Sequence, residues 1–90
     1  MPTIEEIKIY LGIDGSHNDS LIDDFLKTAK EIVEKVLRYE IENLEPMPVV
    51  IKEAVKYAVG YLYSNRETAD FLMLEKTIAI ILSHLRKEGL

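Results

Sequence analysis

The sequence of 90 residues contains no cysteine, only four glycines and only three prolines. Without cysteine, a disulfide framework, a thiolate nucleophile and a thiolate metal site are all excluded. The longest apolar runs fall far short of the about 20 residues that a helix needs to cross a bilayer. The first residues carry acids and lack the basic, apolar and small-residue zones of a signal peptide. We therefore expect a soluble, intracellular protein without a membrane partner.

Sequence patterns typical of catalytic, phosphate-binding or metal-binding sites are missing as well. There is no glycine-rich loop for phosphate, and the serines lack a nucleophile-elbow context. His17 and His84 are far apart, and neither has a partner at metal-ligand spacing. The polar loop that starts at Asp14 fails the calcium-loop pattern, because its sixth position is Asp19 instead of glycine and its twelfth is Phe25 instead of glutamate. The sequence predicts no enzyme activity, no metal and no cofactor.

Positive charge is scarce and unevenly placed. The net charge is −5; residues 1–45 hold eleven acids and five bases, whereas residues 46–90 hold five acids and six bases. The acidic half repels DNA and anionic lipid. A helix-turn-helix reader would need a recognition helix rich in exposed Arg, Lys, Asn or Gln, and no basic cluster occurs. Sequence-specific DNA binding is therefore not expected.

Helical periodicity is what the sequence has in abundance, and alternating strand patterns are absent. Thr3 and Glu6 form a capping box at the start of the first helix, and Gly12 suits its end. We predict one all-α domain over residues 1–90, a compact bundle of three main helices plus a short N-terminal helix, with no significant sheet. The predicted helices span about 4–11, 19–38, 48–65 and 71–87.

The second predicted helix is amphipathic along its whole length. Asp23 with Lys27 and Glu31 with Lys35 are four apart in the order that favours ion pairs on a helix surface. The segment that follows contains two prolines and reads as a connection. Within it, Tyr39–Ile41 is expected to form at most a short extended piece able to pair with another chain.

The third helix organises the chain because it is apolar around most of its circumference. One row of side chains, at three-and-four spacing, has the pattern of a core stripe: Ile51, Ala54, Val55, Ala58 and Leu62. A neighbouring row widens the apolar surface beyond one packing seam: Val50, Ala54, Tyr57 and Tyr61. We expect this helix to lie at the centre of the bundle and also to pack on a second subunit.

The predicted contact surface begins on the tyrosine side of this helix. Tyr57 and Tyr61 are four apart and share a face, and tyrosine suits interfaces because it combines a large contact area with a polar tip. A role as half-buried core residues is the alternative. The predicted interface residues, which continue into the turn after the helix, are Tyr57, Tyr61, Tyr63, Asn65, Arg66 and Glu67.

Arg66 is the charged member of this set. Its guanidinium can make two parallel hydrogen bonds to a carboxylate. Candidate carboxylates on the second helix of a neighbouring subunit are Asp23, Asp24 and Glu31. A local ion pair with Glu67 or Asp70 is the alternative partner for the same side chain.

Four stretches in this order and spacing resemble the small head–tail connector (head-completion adaptor) proteins of tailed phages and prophages. The stretch at residues 51–67 gives the strongest resemblance, because its helix ends in Leu-Tyr-x-Asn-Arg-Glu. The final helix, with Leu85 and Arg86, resembles the terminal helix of that family. The first three stretches are IEEIKIYLGID (4–14), LIDDFLKTAKEIVEKVL (21–37) and IKEAVKYAVGYLYSNRE (51–67).

The resemblance implies a structural role in the virion. Family members form a ring of usually about twelve subunits beneath the portal vertex, extend the DNA channel without binding a DNA sequence, and offer a platform for the next head-completion or tail protein. It further implies assembly in the bacterial cytoplasm and residence at the head–tail junction. The competing hypothesis is a small helical interaction module, such as a dimeric regulator or an antitoxin-like protein.

Overall fold

The computed structural model describes residues 1–83 and shows an all-α chain, 65% helical, with no strand among the residues it describes. The fold-class prediction is therefore confirmed. The tail from His84 onward, including the predicted contributions of Leu85 and Arg86, lies outside the described residues. The four helices are α1 (Ile4–Leu11), α2 (Asp19–Leu37), α3 (Val49–Ser64) and α4 (Phe71–Ile81).

Helix α1 begins and ends as its sequence predicts. The backbone N–H of Glu6 donates to Thr3 Oγ1 at 3.1 Å, and the N–H of Thr3 donates back to Glu6 Oε1 at 2.9 Å. Two otherwise free N–H groups are satisfied in this way. Gly12 closes the helix in the left-handed conformation, with φ 71°, where a side chain would be strained.

The core lies where α2, α3 and α4 meet, and α1 packs across α2 and α3. The predicted stripe of α3 is fully inside, and Val59, which the stripe did not include, is buried with it. Leu74 and Ile78 are the buried residues of α4. The buried apolar side chains of α2 are Ile22, Leu26, Ala29, Val33, Val36 and Leu37.

Helix boundaries differ from expectation by one residue at the end of α2 and at both ends of α3, and by more at the end of α4. Pro48 is the residue before α3 and not its first turn, and its carbonyl accepts the N–H groups of Ile51 and Lys52. Helix α4 ends at Ile81: the N–H of Leu82 still donates to the Ile78 carbonyl, and the N–H of Ser83 donates to the Ile80 carbonyl in a tighter turn. The rest of the predicted extension to residue 87 lies beyond the part of the chain that the structure describes.

The connection between α2 and α3 is folded onto its own subunit. Ile41 is fully buried, and its backbone N–H donates to Glu34 Oε2 at 2.8 Å. No strand forms at Tyr39–Ile41 within the subunit, where this donor is already satisfied, and pairing of the segment with another chain stays a prediction. Burial of the Ile41 side chain outweighs the strand propensity of the segment.

Surface ion pairs follow the sequence only in part. Lys27 and Asp23 pair within α2 at 3.2 Å, as predicted. Lys35 instead reaches across to Glu75 of α4 at 3.1 Å, so the predicted pair with Glu31 is replaced by a contact between helices. None of the described helices combines the length and the apolar character that crossing a membrane requires.

Candidate functional site

Helices α1 and α3 enclose a surface cleft of about 470 Å³, which we call the tyrosine cleft. It brings three predicted interface residues together: Tyr57, Tyr61 and Asn65. Their neighbours in the wall and floor are Tyr10, Leu11, Gly60 and Ser64. The cleft therefore presents three tyrosines from two helices on one face of the subunit.

Gly60 lies where α1 packs against α3 beside this cleft, and a Cβ at this position would make ordinary van der Waals contact. A Cβ at that position would lie 3.4 Å from Tyr10 Cε2 and 3.5 Å from Leu11 Cδ2. Sequence reasoning missed Tyr10 and Gly60 as members of the site. The available signal was a glycine inside an apolar helix, which commonly marks a close packing contact.

Tyr57 and Tyr61, which were predicted to share a face of α3, have different environments in the structure. The hydroxyl of Tyr61 accepts a hydrogen bond from the backbone N–H of Asp70 at 2.8 Å. Tyr57 is 38% exposed, and its hydroxyl makes no hydrogen bond to any residue within 1–83. Tyr61 thus helps to hold the fold, whereas the ring edge and hydroxyl of Tyr57 are exposed on the surface.

The turn between α3 and α4 forms a second depression of about 480 Å³, which we call the turn pocket. It is lined by residues 63–68, which include the predicted Tyr63, Asn65, Arg66 and Glu67. Asn65 shapes the turn: its backbone N–H and its side-chain Nδ2 both donate to the Tyr61 carbonyl, at 3.0 and 2.9 Å. Because Ser64 and Asn65 line both depressions, the six predicted residues form one continuous surface.

Arg66 is held by an aromatic ring and not by an acid. Its guanidinium carbon lies 5.0 Å from the centroid of the Tyr63 ring, a cation–π contact. The hydroxyl of Tyr63 in turn accepts from Asn18 Nδ2 at 3.4 Å. Among the described residues Arg66 forms no ion pair with Glu67 or Asp70, so the local pairing considered as the alternative is not found.

The groups on this surface are of types that are common at protein contacts. The surface presents aromatic faces, one guanidinium and amide groups, which are enriched where proteins meet. Across residues 1–83 no three His, Asp or Glu side chains lie close enough to hold a metal ion. The pKa of Glu6 is lowered, chiefly by the hydrogen bond from the Thr3 backbone, and Glu6 belongs to the α1 cap and not to either depression.

Comparison with known proteins assigns the chain to a family. The sequence profile of phage gp6-like head–tail connector proteins matches residues 1–73, which contain α1, α2, α3 and the start of α4. No curated protein and no solved structure matches the chain significantly. The matched region contains the tyrosine cleft and the turn pocket, and the resemblance inferred from the sequence is confirmed. The chain belongs to the phage gp6-like head–tail connector family, a family of structural phage proteins.

Proposed function

We propose that this chain assembles into a ring beneath the portal vertex of a DNA-filled phage head. The ring, of about twelve subunits, extends the DNA channel and offers a platform to the next head-completion or tail protein. Family membership supports the connector role. In the structure, the observation that supports the proposal most directly is the continuous, partly exposed surface formed by the tyrosine cleft and the turn pocket.

The dual character of α3 supports assembly. Its stripe is buried in the subunit core, while Tyr57 on another side of the same helix stays exposed. A solvent-facing aromatic cleft beside a fully formed core favours a surface that a second protein covers. A ring needs two different contact surfaces on each subunit, and α3 supplies one of them in this proposal.

We assign the subunit contact to the tyrosine cleft and the turn pocket. Arg66 of one subunit pairs with a carboxylate on α2 of the next, for which Asp24 and Glu31 are exposed candidates. If such a pair is buried at an interface, loss of one partner costs about 2–5 kcal/mol, whereas an exposed rim pair contributes little.

The acidic surplus fits passage of DNA through the ring. Residues 1–45 carry six more acids than bases, eleven against five. Like charge suppresses the phosphate contacts that dominate non-specific DNA binding. A channel wall of this composition lets DNA slide without adhering.

The test replaces contact residues that do not also hold the fold. Tyr57→Ala and Arg66→Ala fit this purpose, whereas Tyr61→Ala would also remove the bond to Asp70. Val49→Ala, at a position 72% exposed on the same helix, is the matched control. We expect both contact variants to fold and to give few stable DNA-retaining heads when particles are counted, with the control at normal yield. Normal yield from both contact variants places the interface elsewhere.

Oligomeric state separates the ring from the dimeric regulator or antitoxin-like alternative. Light scattering with size exclusion, on the protein alone and mixed with portal protein, should show a ring-sized species. A discrete dimer under both conditions, with no protein bound to the portal, favours the alternative. Detection of the chain in purified virions tests its place at the head–tail junction.

A further inference from the structure

Two surface features lie outside the tyrosine cleft and the turn pocket. Ile9 on α1 is 82% exposed, the largest exposure among the large apolar side chains within residues 1–83. A groove of about 330 Å³ runs between the C-terminal end of α2 and the outer side of α4. We call it the α2–α4 groove. Packing among residues 1–83 explains neither feature.

The α2–α4 groove combines an apolar floor with a cationic rim. Its apolar lining residues are Val36, Leu72 and Ala79, and Leu72 is 64% exposed. Its cations are Lys35, Arg38 and Lys76. Lys35 is paired with Glu75, but Arg38 and Lys76 have no ion-pair partner among the described residues. The groove therefore suits an apolar side chain accompanied by an acid.

Helix α1 presents that combination on its outer face. Glu5 and Ile9 are four residues apart and lie on one side of the helix, and both are exposed. Ile7, on the inner side, is fully buried and anchors the helix to the core. The outer face of α1 is thus an exposed isoleucine with a carboxylate one turn before it.

The two surfaces lie at opposite ends of α2. Lys8 of α1 binds Asp19 at the first residue of α2, at 2.9 Å, while the groove begins at Lys35. The sixteen residues between them correspond to about 24 Å of helix. Within the described residues α1 makes no close backbone contact with α4. The outer face of α1 therefore does not reach the groove of its own subunit, and the two surfaces suit a head-to-tail contact between copies.

We propose that the outer face of α1 in one copy docks into the α2–α4 groove of the next copy. Ile9 packs against Leu72 and the groove floor, and Glu5 lies against Arg38 and Lys76. The inference rests on the proposed ring and names one of its contacts. It is separate from the assignment of Arg66 and the tyrosine cleft, although Tyr10 beside Ile9 lines that cleft, so both contacts involve the same side of the subunit.

Thiol cross-linking tests the contact cleanly because the chain has no cysteine of its own. A double variant, Ile9→Cys with Leu72→Cys, is treated with a short bismaleimide at high protein concentration, with and without portal protein. We expect a ladder of covalent oligomers on a denaturing gel. The matched control is Val49→Cys with Leu72→Cys, since Val49 is 72% exposed and lies on neither surface. It should give no ladder.

The outcomes distinguish this inference from the ring itself. If light scattering shows ring-sized oligomers and the Ile9–Leu72 pair gives no ladder, the docking proposal is wrong and the ring stands. If neither oligomers nor a ladder form, even with portal protein, both proposals are wrong. Self-cross-linking of the single variant Ile9→Cys indicates a symmetric contact and overturns the head-to-tail docking.

Charge exchange gives a second readout. Arg38→Glu and Glu5→Lys should each lower the ladder yield of the double-cysteine chain about tenfold, since close charge pairs at interfaces couple by at least that factor. Both exchanges in one chain should recover most of the yield, because each contact then regains opposite charges. Lys27→Glu, the same charge change on α2 outside the groove, should leave the yield unaltered. Absence of recovery in the doubly exchanged chain contradicts the pairing.

Discussion

The hydroxyl oxygen of Tyr61 accepts the backbone N–H of Asp70, with 2.8 Å between oxygen and nitrogen. Asp70 is also the cap of α4, because its carboxylate accepts the N–H of Met73 at 3.0 Å. One side chain on α3 therefore helps to fix the place where α4 begins. This brace separates the structural part of the tyrosine surface from the part that remains free for a partner.

Tyr61→Phe should lower the free energy of unfolding by about 1 kcal/mol, because it removes the acceptor of the Asp70 N–H and keeps the ring. Tyr57→Phe is the matched control and should change the free energy by less than about 0.5 kcal/mol. Urea unfolding followed by circular dichroism measures both. Equal stability of the two variants would show that water replaces the Tyr61 bond without loss.

Local signals were sufficient to predict most of the fold. The Thr3–Glu6 box, Gly12 and the apolar stripe of α3 each depend on residues within a few positions of one another, and each is confirmed. Helical periodicity is a local property of the sequence, so it can be recognised before any tertiary contact is known.

Contacts between residues that are far apart in sequence could not be predicted from local sequence patterns. Lys35 had an acid at helical spacing, yet it binds Glu75, forty positions away, because α4 packs against α2. Tyr57 and Tyr61 have the same side chain on the same helix, and only the course of the chain after α3 distinguishes their roles. Tyr10 was not predicted as a cleft residue because the packing of α1 against α3 near Gly60 joins residues that are far apart in sequence.

Glu34 should contribute more to the stability of the fold than its position on an amphipathic helix suggests. Glu34→Ala leaves the N–H of the buried Ile41 without its acceptor, and we expect a loss of about 1–3 kcal/mol in unfolding free energy. Glu34→Gln keeps an oxygen acceptor and should lose less. Glu31→Ala, an exposed position one turn earlier, is the control. A Glu34→Ala chain as stable as the Glu31→Ala chain would contradict a structural role for this bond.

Substitutions at Gly60 should distinguish the effect of the steric space between α1 and α3 from the effect of helix propensity on stability. Gly60→Ala places its methyl group at ordinary contact distance from Tyr10 and Leu11, so the better helix propensity of alanine should stabilise the chain by up to about 1 kcal/mol. Gly60→Leu should destabilise by about 1–3 kcal/mol, because the larger side chain forces α1 away from α3. Thermal and urea unfolding decide the sign of each change. A destabilising alanine would mean that α1 cannot yield even a few tenths of an ångström.

The capping box should make stability depend on pH in a defined direction. The backbone hydrogen bond from Thr3 lowers the pKa of Glu6 in the folded chain. A carboxyl group with a lowered folded pKa stabilises the fold above its unfolded pKa, and this contribution is lost as the pH falls through the folded pKa. Glu6→Gln keeps an acceptor for the Thr3 N–H but cannot ionise, so it isolates the contribution of the charge.

We expect wild-type protein to be more stable than Glu6→Gln at pH 7, and the difference to shrink towards zero as the pH is lowered below about 4. Thr3→Ala, which removes the reciprocal bond, should cost about 1 kcal/mol at neutral pH. Urea unfolding between pH 3 and pH 7 gives both comparisons, and Glu5→Gln controls for the loss of a charge in the same turn. A wild-type advantage that persists unchanged at the acid end of the series would exclude ionised Glu6 as its source.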